Sequence, residues 1–81
     1  MGDNKEFASL MRFLRERSGV SARQLSLSSG LSASYVSKIE DGAILPNIKS
    51  FANIISNLSV TPFEIAYLLQ TFREDESEIF S

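Results

Sequence analysis

Cysteine and histidine are both absent from this 81-residue chain, and the two gaps remove most of the usual site chemistry. Without cysteine there is no disulfide, no zinc-thiolate site and no thiol nucleophile. Without histidine the commonest general base and the commonest transition-metal ligand are missing as well. No apolar run approaches the ~20 residues that cross a bilayer, and the polar start Met1-Gly2-Asp3-Asn4 does not read as a secretion signal. The expected setting is a reducing cytoplasm, with no membrane partner and no cofactor. No segment keeps up an apolar–polar alternation of period two, and the hairpin-like dipeptide Asp41-Gly42 follows residues that read as helix. Repeats and low-complexity tracts are absent too.

A chain of this length fits one small domain, which buries only ~60% of its unfolded surface and has little room for an enclosed active site. Its net charge of −2 argues against a polyanionic partner until the distribution is considered. From Lys5 to Lys49 seven basic residues stand against four acidic ones, whereas from Glu64 onward Arg73 faces five carboxylates. Partner electrostatics follow the local field, so the basic first half is the candidate surface.

What remains reads as short helices divided by clear stops. Asp3 and Glu6 resemble a capping box ahead of Phe7, Leu10, Met11 and Leu14, which recur at helical spacing until Ser18-Gly19. Ser21-x-x-Gln24 opens a second helix through Ser29, closed by Gly30. Ser32 is placed to cap a third over Ala33–Asp41, with Gly42 as its stop. Asn47 caps a fourth, whose core stripe reads Ile48, Phe51, Ile55 and Leu58, with Ile54 off it. Thr61-Pro62-Phe63-Glu64 starts a fifth that should end between Leu69 and Phe72. The expected fold is all-α with five helices: one domain over residues 1–72, then an acidic, frayed tail over 73–81.

Most functional information lies in Ser21 through Gly42. Two short helices pivot at Gly30, with Leu25, Leu31, Val36 and Ile39 turned inward and the small Ser26 letting the axes approach. That is the arrangement of a helix-turn-helix. The second helix of the pair then shows Ala33, Ser34, Ser37 and Lys38 outward. So uncluttered a face fits the ~12 Å major groove, where hydroxyls and a lysine meet base edges or phosphates.

Gly30-Leu-Ser-Ala-Ser-Tyr-Val-Ser-Lys-Ile-Glu-Asp-Gly42, with Leu14-Arg15 before it and Pro46 and Leu58 to Ile65 after it, resembles the Cro and lambda-repressor-like helix-turn-helix proteins, also called the xenobiotic-response-element family. The resemblance covers Phe7 to Leu69. It implies a compact five-helix DNA-binding domain that acts as a symmetric dimer, as in phage and mobile-element repressors, restriction–modification controllers and some antitoxins. By position it implies base contacts from Ala33, Ser34, Ser37 and Lys38, backbone contacts from Arg23, Tyr35 and Lys49, and a structural ion pair between Arg15 and Glu40. Departures are Ala22 and Ala33 where larger polar residues are common, the apolar loop Ala43-Ile44-Leu45, and Leu27 at a usually polar position. Few basic contacts per half-site are therefore expected.

Apolar residues exceed what one core face needs. Ile54, Leu58, Phe63, Tyr67, Leu68 and Phe72 are expected to form a homodimer interface within residues 47–72, the alternative being cover from Ile79-Phe80. The leading expectation is a bacterial or phage DNA-binding transcriptional regulator, a repressor by occlusion. The alternative is a protein-interaction module on the same frame, such as an antitoxin. An enzyme is not expected: Glu40-Asp41 are adjacent and do not share a helical face, and Glu74-Asp75-Glu76 reads as a solvated run.

Overall fold

The computed structural model describes residues 5–80, and side chains from Lys5 to Phe72. It contains α1 (Lys5–Arg17), α2 (Ala22–Ser28), α3 (Tyr35–Glu40), α4 (Ile48–Ile55) and α5 (Pro62–Phe80), with no strand among the described residues. The Asp3 half of the first capping box lies outside them.

Three helix starts are built by their own side chains. Ser21 Oγ accepts from the Gln24 amide at 3.0 Å while the Gln24 side chain accepts from the Ser21 amide at 3.1 Å. Thr61 and Glu64 exchange the same two bonds at 3.1 and 3.0 Å, and Asn47 Oδ1 accepts from the Ser50 amide at 2.8 Å. Each satisfies amides that a helix start leaves without intrahelical partners. At the other ends, Gly30 (φ 76°) and Gly42 (φ 77°) take the left-handed conformation. There the Leu31 amide reaches back to Ser26 O at 2.9 Å, and the Ala43 amide to Lys38 O at 2.9 Å. These six-to-one closures end α2 and α3 and turn the chain sharply. A Cβ on Gly30 would meet nothing within 4 Å, so φ alone selects glycine there.

The core joins Phe7, Met11 and Leu14 of α1 to Leu25 of α2, Val36 and Ile39 of α3, Phe51 and Ile54 of α4, and Leu68 and Phe72 of α5. Phe7 is the hub of its aromatic part, with its ring centroid 5.9 Å from that of Phe51 and 5.3 Å from that of Phe72.

Four sequence expectations are corrected. α4 turns Ser50, Phe51 and Ile54 inward, so Ile54 is fully buried and Ile48, assigned to the core stripe, is 66% exposed. Leu68 and Phe72 are buried with it. Ile54, Leu68 and Phe72 therefore belong to the core and offer no surface to a second copy. Of the same set, Leu58 is half-buried while Phe63 and Tyr67 are exposed. α3 begins at Tyr35, since Ser32 O accepts from the Tyr35 amide at 3.1 Å and the chain through Ala33 and Ser34 is a turn. α5 crosses the 72/73 boundary and continues to Phe80, a stretch with no glycine or proline to stop it.

An ionic clip closes the α1 and α5 ends. Arg17 donates to Glu64 Oε1 at 2.7 Å and to Ser59 O at 2.9 Å, and Ser18 Oγ accepts from the Ser59 amide at 3.1 Å. The Arg17 bond, then the Thr61 amide, holds the Glu64 carboxyl down at about 2, below its ordinary 4.5. A carboxyl depressed in the folded state stabilises above its unfolded value and loses that contribution as pH falls through the folded one. Wild type should thus melt above Glu64→Gln at neutral pH, with the gap closing progressively below about 4.5 and gone near 2. A gap constant with pH in thermal melts would remove the clip from the stability account.

Candidate functional site

α2 and α3 meet through one buried serine. Along α2 the inner stripe runs Ala22, Leu25, Ser26 and Ser29, so a polar side chain stands where periodicity calls for an apolar one. Ser26 is fully buried, and burial demands partners for its hydroxyl. Ser26 Oγ donates to Ala22 O at 2.8 Å and accepts from the Val36 amide, in the first turn of α3, at 3.0 Å. The sequence reading used only the smallness of Ser26. The signal it passed over is a polar residue on an otherwise inward stripe. Ser26→Ala should cost about 1–3 kcal/mol, the penalty for stranding a buried amide. Urea unfolding that moved by a few tenths would show that another group takes over.

A second joint fixes α3 against α1. Arg15 Nε donates to Glu40 Oε2 at 2.6 Å and Nη2 to Oε1 at 3.0 Å, while Nη1 donates to Val20 O at 2.9 Å. Both side chains are nearly buried, at 12% and 5% exposure, and Arg12 Nε stands 3.8 Å from the same carboxylate. The Glu40 bond raises the Arg15 pKa further above its ordinary value, against an opposing push from burial. This two-pronged pair sets α3's orientation, because a planar guanidinium and a carboxylate bond well in few geometries.

The outward side of α3 carries Ser34, Ser37 and Lys38, all exposed. Ser34 and Lys38 are four apart and Ser37 lies between them on the same face. Ala33 is half-buried in the preceding turn, and Tyr35 is half-buried against the core. Arg23 on α2 and Lys49 on α4 are exposed. The cations divide in a way composition does not show. Arg12, Arg15 and Arg17 are engaged by Glu16, Glu40 and Glu64, whereas Arg23, Lys38 and Lys49 make no ion pair among the described residues. Ser32, Ser34 and Ser37 hydroxyls likewise have no protein partner among them. The outward face thus has unspent donors and charge; the α1 arginines do not. Nothing in the structure explains the 51% exposed Leu27.

Elsewhere, α4 and α5 border an uncharged groove of about 360 Å³ lined by Ile48, Ala52, Ile55, Ile65 and Leu69 among others. The groove contains no group for general acid–base work. Among the described residues no cluster of carboxylates is placed to hold a metal ion, and no helix there is long and apolar enough to cross a membrane.

A family model described as a helix-turn-helix domain matches residues 6–78. No curated protein and no solved structure matches the chain.

Proposed function

The chain belongs to the helix-turn-helix domain family, and from that premise we propose that it is a sequence-specific DNA-binding regulator whose α3 reads the major groove. The observation that carries this reading is the outward face of α3: Ser34, Ser37 and Lys38 are exposed and unspent, on a helix held by Ser26 and by Arg15–Glu40. In the proposal Ser34, Ser37, Lys38 and the Ala33 methyl meet base edges, while Arg23, Lys49 and the Tyr35 hydroxyl meet the sugar-phosphate backbone. The reading places the protein with the Cro and lambda-repressor-like regulators of phage, mobile-element or restriction–modification type. It acts in the cytoplasm, as a repressor by occlusion.

We also propose a homodimer on a palindromic operator, its recognition helices ~34 Å apart. Support comes from the α4–α5 groove, which bears no charge to repel its own copy, and from exposed Phe63 and Tyr67. The same exposed aromatic surface, with Phe13 at 58%, favours the second reading, a protein-binding module such as an antitoxin.

Selection from a random duplex library, followed by gel shifts over a salt series, tests the DNA reading. With Arg23 and Lys49, unpaired among the described residues, as the cations on phosphates, log affinity should fall against log salt with a slope of about −2 for one protomer and about −4 for a dimer. Lys38→Ala should weaken the specific complex by about 1–3 kcal/mol. Failure to enrich any duplex sequence, or binding indifferent to salt, would favour the protein-binding reading.

A further inference from the structure

Asp41 stands on the same face of α3 as the residues proposed to read DNA. It follows Ser34 by seven positions and Ser37 by four, the spacing that returns a helical side chain to one side. Its amide donates to Ser37 O at 2.9 Å, and its backbone, at φ −83° and ψ −3°, continues the helical course, so the side chain keeps that direction. Asp41 is exposed, as are Ser34, Ser37 and Lys38, while Val36 and Ile39 on the opposite side are fully buried. Glu40 beside it is bound by Arg15, but Asp41 makes no ion pair among the described residues. It also ends α3, where the helix's own partial charge is negative. A carboxylate at that end does nothing for the fold.

We infer that Asp41 is a specificity-determining residue: its carboxylate accepts from the amino group of a cytosine in the major groove and turns away duplexes that present none. This rests on the DNA reading above and adds a base class to it. Ser34 to Asp41 spans about 10 Å of helix, or about three base-pair steps, so a duplex that meets Ser34 and Lys38 meets Asp41 as well. A carboxylate has acceptors and no donor. Guanine and thymine turn acceptors toward the major groove, and adenine sets one beside its amino group. Cytosine alone presents a donor with no acceptor next to it, so it alone suits the carboxylate. Lys38, one turn earlier and all donor, suits the guanine acceptors. The two charges together match a G·C step, whereas the serines, able to donate or accept, discriminate little.

The consequence is a residue that lowers general affinity and sharpens choice. Selection from a random duplex library is run in parallel with the full wild-type chain and with Asp41→Ala. Wild type should enrich a cytosine at one position that Asp41→Ala leaves open. Replacing that C·G pair by T·A should weaken wild-type binding about tenfold, one good contact's worth. The same replacement should change Asp41→Ala binding less than about twofold, its partner being gone. On a scrambled duplex the carboxylate meets acceptors and phosphates only, so Asp41→Ala should bind about two- to fivefold more tightly than wild type at low salt.

Asp41→Asn removes the charge and keeps the shape. It should match Asp41→Ala on the scrambled duplex, and neither variant should melt below wild type. Equal base penalties in wild type and Asp41→Ala, or the same sequences selected by both, overturn the inference while the DNA reading stands. Unchanged affinity for the scrambled duplex overturns it too. A melting temperature lowered by several degrees in both variants would make Asp41 a structural residue, with the same result. Should wild type itself enrich no duplex, it is the DNA reading that fails, and the inference with it.

Discussion

Phe7→Ala is expected to lower the melting temperature by about 12 °C or more, since each kcal/mol shifts a domain this small by roughly 4–8 °C. The Phe7 side chain is fully buried and its ring contacts those of Phe51 and Phe72, joining α1, α4 and α5 at one point. Truncating a buried phenylalanine removes its transfer free energy and leaves a cavity, together about 3–5 kcal/mol. Total stability for a chain of this length is about 4–12 kcal/mol, so one substitution removes about a quarter of it or more. Collapse of neighbours is restricted because Phe51 and Phe72 also contact each other, with centroids 5.7 Å apart. Phe13, on the exposed side of α1, supplies the control: Phe13→Ala should leave the melting temperature nearly unchanged. Comparable losses at both positions in thermal melts would mean that the helix is turned differently from the arrangement described.

The second large effect is expected at the Arg15–Glu40 joint. Arg15→Met leaves the Glu40 carboxylate, 5% exposed, with Arg12 at 3.8 Å to compensate it. Removing one partner of a buried pair costs about 3–5 kcal/mol. Arg12, itself 61% exposed, can approach further, so the lower end, about 3 kcal/mol, is expected here. Replacing both partners, Arg15→Met with Glu40→Leu, should restore much of the loss, since neither charge is then stranded. Urea denaturation of the four proteins measures the cycle. A double variant as unstable as the sum of the singles would place the joint's value in packing alone. The pair also orients the proposed reading helix, so the double variant should regain stability without regaining operator affinity.

Much of this was legible in the chain because it is local. Ser21-x-x-Gln24, Asn47 and Thr61-Pro62-x-Glu64 write their caps within one helical turn. Gly30 and Gly42 mark turns whose left-handed φ is costly for other residues. The outward character of Ser34, Ser37 and Lys38 followed from the inward spacing of Val36 and Ile39. Ile48 and Ile54 were not separable in that way. Both are apolar and within two turns of each other, and which of them faces inward depends on how α4 is rotated against α1 and α5. The same ambiguity put Leu68 and Phe72 on an interface, when the aromatic side of α1 had already claimed them.

The chain by itself thus determined the number and order of the helices, the pivot at Gly30 and the helix-turn-helix character of its motif, since each is decided by neighbours within a few positions. The tertiary structure alone decided which apolar residues remain outside, which arginines are neutralised, and which serine caps α3. Those outcomes depend on partners 10 to 47 positions away, such as Val36 for Ser26, Glu40 for Arg15 and Glu64 for Arg17, and no local pattern encodes the approach of two side chains that only packing brings together.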